Sequence, residues 1–321
     1  MIKKMLLFVF CCGIALAKQP ARPECIAPAR PGGGFDLTCK LAQSVFAHEK
    51  ILSKPMRITY MPGGVGAVAY NSIINSKARD GNIIVAFSSG TLLNIATGKH
   101  GKYNENDVKW LASVGVDYTA IVVRKDAPYK TLEGLLNALR KNPRAVSFGA
   151  GGSVGGQDWM AAALLAKSAN VDILKARYVA FEGGGDTMIS LLGGHVDVAI
   201  QGAAESLPYL ESGDVRILAV FADKRLSDDA LAKSIPTARE LGYDVVWGSL
   251  RGYYMAPKVS NEQYNWWLEA FKKAQQTSFF KEQRKQRGLQ EFNKNGKELE
   301  EFVKTQMQRF RDLAKEFHLI K

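Results

Sequence analysis

Short apolar runs and amphipathic stretches of helical spacing alternate along the chain, with glycines at many of the joins. PECIAPA (23–29) reads as a strand. DLTCKLAQSVFAHEKI (36–51) reads as a helix, because Leu37, Leu41, Val45 and Phe46 share one face, and Asp36 is its N-cap candidate. MRITYM (56–61) is a second strand, and 62–78 is a glycine loop opening a second helix. Residues 80–90 give a turn, a buried strand and a loop of small residues, and 108–128 has extended strand character. TLEGLLNALRKNP (131–143) is a helix with a threonine cap. The order then restarts: strand, glycine loop and helix over 145–169, the same again running into a turn and strand over 176–202, and a strand over 215–222. Beyond Gly248 the pattern is helical over 260–286 and 296–317. There Leu299, Phe302, Val303, Phe310, Leu313 and Phe317 form one apolar stripe, read as core packing. Strands alternating with helices predict an α/β protein with mainly parallel sheets. Two such runs predict two lobes, with segments 113–123 and 245–256 as candidate crossovers.

The first residues break this pattern. A short basic start, MIKK, precedes the apolar run MLLFVFCCGIALA, which ends in Ala15-Leu16-Ala17. This reads as a secretory signal peptide cleaved after Ala17, since the run falls short of the roughly 20 residues of a membrane-spanning helix. Cys11 and Cys12 also allow a lipoprotein signal, but bulky residues stand where such a signal wants small ones. Export would leave Cys25 and Cys39, which read as one disulfide in an oxidising compartment, worth roughly 3 kcal/mol on the chain-entropy model. Two buried free thiols are the alternative. No His or Cys cluster accompanies them, so no metal site is expected.

The 321 residues carry a formal net charge of +12. That excess favours solubility and mildly attracts anions. Many Lys and Arg residues sit in the C-terminal stretch, interleaved with acids, and no basic array with spaced aromatics appears, so nucleic-acid binding is not expected. The chemistry concentrates in four glycine loops at strand-to-helix joins: PGGGFD, PGGVGA, GAGGSVGGQD and FEGGGD. In open α/β sheets ligands sit beyond the carboxyl ends of strands, where helix starts offer unpaired N–H groups to anions. The loops contain no Lys or Arg, so a bound anion would be held mainly by backbone amides and small hydroxyls. None has the spacing of a nucleotide-binding loop, and no cofactor is expected. One stretch has an enzyme reading. Residues 151–155 fit G-x-S-x-G, and Asp186 and His195 follow in the chain order of an α/β-hydrolase triad, with Ser153 as nucleophile. His195 falls in a turn before a strand, where it reads more simply as a surface residue.

The order of these motifs resembles the periplasmic substrate-binding receptors of tripartite tricarboxylate transporters, the Bug or TctC-like family. PGGGFD is similar to its first ligand loop and MPGGVGAVAYN to its second glycine segment. AFEGGGDTMISLLGGHVDVAI, VRILAVFADKRL and IPTARELGYDVVWGSLRGYYMAP resemble later signatures, the last with Pro236-Thr237 and Glu240-x-Gly242. The resemblance implies a type II periplasmic-binding fold: two lobes, each with a mainly parallel central sheet flanked by helices, linked by two crossovers. One lobe would comprise 18–117 and 249–321, the other 118–248. It implies a soluble, monomeric, non-enzymatic receptor in the periplasm that binds a small organic carboxylate and serves integral membrane transporter subunits. Carried over by position, Gly33, Gly34, Phe35 and Asp36 would line one wall, with Ser88 and Ser89 nearby and Thr119 at the crossover. Gly151, Ser153, Gly155 and Gln157 would line the other, with Gly184 and Gln201. The chain departs from the family pattern at Asp158, Glu182 and Gln201, which leaves the identity of the ligand open.

Overall fold

The computed structural model describes residues 19–172, 175–226 and 234–320; the expected signal peptide, 1–17, lies outside them. The first half of the chain forms β1 (Glu24–Ala27), α1 (Gly34–His48), β2 (Arg57–Tyr60), α2 (Ala67–Asn75), β3 (Ile83–Ser88), α3 (Ser89–Ala96) and the 16-residue β4 (Lys109–Arg124). Then come α4 (Leu132–Lys141), β5 (Ser147–Gly151), α5 (Gln157–Ser168), β6 (Arg177–Phe181), α6 (Gly184–Leu192), β7 (Val198–Gly202), α7 (Ala203–Glu211) and β8 (Val215–Val220). The chain ends with β9 (Gly248–Met255), α8 (Asn261–Gln276), α9 (Ser278–Gln286) and α10 (Lys297–Glu316).

The strand order is β2-β1-β3-β9-β4-β7-β5-β6, with β8 also paired to β4. β1, β2 and β3 are parallel, as are β5, β6 and β7; β9 runs antiparallel between β3 and β4. β4 changes partners along its length. Its residues 109–118 pair with β9, and 119–124 pair with β7 on one side and β8 on the other. At the change, the Thr119 N–H donates to the Trp247 carbonyl and the Thr119 carbonyl accepts from Phe221. β4 thus joins two sheet halves, each facing its own helices.

The inner strands are apolar because they are covered on both faces, while the edge strands β2 and β6 are partly exposed. Every residue of β3 is buried, as is every residue of β7. The first half's core gathers aromatic rings: Phe46 and Phe271 centroids lie 4.9 Å apart, and Tyr253 stacks on Phe271 at 4.7 Å. The apolar stripe expected on the last helix is buried at Leu299, Val303 and Phe310. Its end reaches the other half, where Phe317 meets Trp159 edge to face and Leu319 packs over Gly155. Two short helices, α3 and α7, fall where the sequence pattern showed only loop or strand end. Both start directly from a buried strand on small residues, too short for a helical period to emerge. The expected helix over 260–286 is two helices, split at Thr277, whose side chain caps the second by accepting from the Phe280 N–H.

Cys25 on β1 and Cys39 on α1 form a disulfide, with Cα atoms 5.7 Å apart. It clamps the first strand to the first helix beneath the PGGGFD loop.

Candidate functional site

Helix starts differ across this molecule in how their orphan N–H groups are satisfied. α3, α4, α8 and α9 carry side-chain caps from Ser88, Thr131, Ser260 and Thr277. α1, α5, α6 and α7 start from Gly33, Gly156, Gly183 and Gly202, with no cap from their own N-cap side chain. These four glycine starts converge. Gly33, Gly34 and Phe35 of α1, Gln157 and Asp158 of α5, Gly183 and Gly184 of α6, and Gly202 and Glu205 of α7 all line one cavity of about 60 Å³. Ser88, Gly90, Val65, Thr119, Gly151, Ser249 and Arg251 complete the wall. The approach across the cleft is close: a Cβ on Gly33 would lie 3.6 Å from the Gly184 nitrogen.

Charged side chains fill the space the glycines leave. Arg251, on β9, places Nη2 2.8 Å from Asp117 Oδ2 and 2.8 Å from Glu205 Oε1. All three are more than nine-tenths buried. Asp117 Oδ1 also accepts from the Ala204 N–H at 3.0 Å and so caps α7 from outside the helix. A Cβ would fall 2.2 Å from the Arg251 guanidinium at Gly34, 1.7 Å from Glu205 Oε2 at Gly184, and 1.9 Å from Asp117 Oδ2 at Gly202. Glycine is therefore needed at all three positions for close approach, not for backbone conformation. Asp158 Oδ2 accepts from the Gly151 N–H at 3.1 Å.

Burial dominates the electrostatics of these acids. It pushes the Asp158 carboxyl up to about 8, helped by the neighbouring Glu205 charge and opposed by Arg251 and the Gly151 N–H. It lifts Glu205 to about 7, with Arg251 and the Gly34 N–H opposing and Asp117 adding to the rise. Burial works against the charge on Arg251, but Asp117, Glu205 and Asp158 together hold it above the ordinary arginine range.

Of the expected ligand residues, Gly33, Gly34, Phe35, Ser88, Thr119, Gly151, Gln157 and Gly184 line this cavity. The others serve elsewhere. Asp36 is fully buried under the first loop, accepting from the Gly32 N–H, Lys40 and the Tyr60 hydroxyl. The Ser89 hydroxyl accepts from the Leu250 N–H at 2.9 Å and ties α3 to β9. Gln201 donates to Ser206 behind the wall. Gly155 lies beneath Leu319. Ser153 is exposed, and its hydroxyl faces Lys99 Nζ at 3.1 Å rather than a histidine. Asp186 pairs with Arg30 at 3.5 Å and His195 is exposed in the turn after α6, so the three groups of a hydrolase triad have other surroundings.

The sequence reading missed Asp117, Asp158, Glu205 and Arg251 as lining or supporting groups. It expected anion binding mainly by main-chain donors and small hydroxyls, whereas a buried arginine and three acids stand at those donors. A signal existed: GSLRGYYM and VGVDYTAIVV each place one charge inside an apolar strand, where a charge needs a partner.

Glycine helix starts from two sheet halves, closing on a buried polar cavity, are the frame of a solute-binding receptor. The chain belongs to the tripartite tricarboxylate transporter receptor family, TctC, whose description matches residues 41–319. Its receptors are periplasmic binding proteins, not enzymes. Among curated relatives, the UPF0065 protein in the gbd 5′ region of Cupriavidus necator is 25% identical over 320 residues, covering 96% of this chain and 94% of that protein. The structure of the periplasmic binding protein BugD aligns with a TM-score of 0.81 at 20% identity, covering 94% of this chain and 99% of that one. MatC from Rhodopseudomonas palustris with bound malate aligns at 0.77 and 21%, covering 91% and 98%.

Proposed function

We propose that this chain is an exported periplasmic receptor that captures a small organic carboxylate in the cavity and delivers it to the membrane subunits of a tripartite tricarboxylate-type transporter. On this reading residues 18–117 with 249–321 form one lobe and 118–248 the other. Solute touching both would favour the closed arrangement that a membrane partner recognises. One observation carries the proposal: helix starts whose own N-cap residue is glycine, drawn from both sheet halves, converge on one cavity. Such starts stabilise a carboxylate through unpaired N–H groups and the helix dipole. Malate bound to MatC, a protein of the same fold, supports the choice of solute class.

Mass spectrometry of small molecules released from gently purified protein is the direct test. A thermal-shift screen of organic acids is the rapid one. A solute at 100 times its Kd stabilises the native state by about 2.7 kcal/mol. Unfolding about 300 residues releases roughly 0.6 kcal/mol/K of entropy, so the melting point should rise by about 4 °C. A broad panel of carboxylates that leaves the melting point unmoved would sink the proposal.

A further inference from the structure

The charge inventory of the cavity does not suit a plain di- or tricarboxylate. Asp158, Glu205 and, at the mouth, the exposed Glu182 line it against a single cation, Arg251. That arginine already bonds Glu205 and Asp117. Buried acceptors also outnumber their donors. Glu205 Oε2 and Gln157 Oε1 accept no hydrogen bond, although both side chains are more than nine-tenths buried and border the cavity. Gln201 Oε1, behind Gly184, is a third such oxygen. A buried acceptor left without a donor is costly, and a cavity lined by several of them favours a solute that brings N–H groups. Carboxylate donors remain in the same cavity, at the first helix start beside Gly33 and Phe35 and at the Ser88 and Thr119 hydroxyls. The site has two chemically opposite parts.

We propose that the solute carries, besides its carboxylate, a protonated amine that is held by Glu205 and Asp158. The inference rests on the receptor reading above and narrows it to zwitterionic amino acids. The small cavity, about 60 Å³, favours a short one.

Proton linkage separates this from the opposite arrangement, in which protonated Glu205 and Asp158 donate to a second carboxylate of the solute. The groups facing Glu205 are Arg251 on β9, Asp117 on β4 and the Gly34 N–H of α1. Those facing Asp158 are Glu205 on α7, Arg251, Asp117, the Gly151 N–H, and Tyr178 on β6. Burial leaves both carboxyls partly protonated near neutral pH. An ammonium group therefore expels protons on binding, and its affinity rises from pH 6 to 8.5. A second carboxylate takes protons up, and its affinity falls over the same range.

The test is isothermal calorimetry with matched pairs, β-alanine against succinate and 4-aminobutyrate against glutarate, in buffers of differing ionisation enthalpy. The expected result is binding of an amino acid with proton release, little binding of its diacid partner, and at least ~30-fold weaker binding in Glu205→Gln. Asp158→Asn, which keeps the shape of the side chain, provides the second variant and should remove part of the proton release. If diacids bind and amino acids do not, or binding takes up protons, this inference is overturned while the receptor reading stands. If neither class binds, this inference is overturned, and the broad carboxylate panel decides the receptor reading separately.

Discussion

Gly34→Ala tests the fit between the glycine loop and the buried charges. Alanine is the better helix former, and Gly34 opens α1, so local propensity alone predicts stabilisation by about 0.5–1 kcal/mol. The tertiary structure predicts the opposite. The new Cβ would lie 2.2 Å from Cζ, Nη1 and Nη2 of Arg251, against about 3.5–4.0 Å for an ordinary contact. The guanidinium must retreat by more than ~1 Å, which breaks the 2.8 Å bonds to Asp117 and Glu205. Losing a buried ion pair from one side costs about 3–5 kcal/mol, because the remaining charges stay buried. With roughly 0.6 kcal/mol/K of unfolding entropy, the melting point should fall by about 5–8 °C. Scanning calorimetry reads this directly. Gly33→Ala is the control, since its Cβ would meet nothing closer than 3.6 Å; it should stay within about 1 kcal/mol of the parent. In an Arg251→Met background Gly34→Ala should lose most of its cost, a coupling that a double-mutant cycle measures. A Gly34→Ala protein as stable as the parent would refute the account.

Reducing the Cys25–Cys39 disulfide, or replacing both cysteines with serine, should cost about 3 kcal/mol, or about 5 °C, since the bridge closes a separation of 14 residues; an unchanged melting curve would contradict this. Asp158 contributes a pH dependence of definite sign. Its carboxyl is raised in the folded state to about 8, so between pH 4 and 8 the native protein holds a proton that the unfolded chain releases. Its contribution to stability is greatest below the unfolded carboxylate range and declines as pH rises toward 8. Asp158→Asn should remove up to about 1.4 kcal/mol per pH unit of that decline, measured as the difference between the two urea-unfolding profiles; parallel profiles would sink it. A fluorophosphonate probe should leave Ser153 unmodified, because among the described residues no histidine meets its hydroxyl and Asp186 is paired with Arg30. A covalent adduct on that serine by mass spectrometry would reopen the hydrolase reading.

The parts of this molecule that announce themselves in sequence are those with local causes. The PGGGFD loop, the α1 stripe and the glycine helix starts follow from residues next to one another, and they locate much of one cavity wall. The charged cluster does not, because Asp117, Glu205 and Arg251 come from β4, α7 and β9, separated by 46 to 134 residues. A lone charge in an apolar strand marks Asp117 and Arg251 as needing partners but does not say which, and only the antiparallel register of β4 on β9 brings Asp117 near Arg251. The glycines show the same limit. Their number was visible, but at Gly184 and Gly202 the reason for glycine is a carboxylate from another element, which spacing cannot reveal. Asp36 misled in the other direction: it stands in the ligand loop by sequence, yet its side chain turns beneath the loop to hold Lys40 and Tyr60.

The three glycines at 34, 184 and 202 fit their charged neighbours as sockets fit plugs, and this constrains how such a protein can diverge. A relative that acquires a methyl group at any of these sites must already have shortened or discarded the matching side chain, at 251, 205 or 117. Drift at one member of a couple is blocked until the other changes. Sequences descending from this lineage should therefore inherit each couple whole or lose it whole. A natural homologue of this arrangement bearing alanine at 184 together with glutamate at 205 would mean that the two positions were never interlocked.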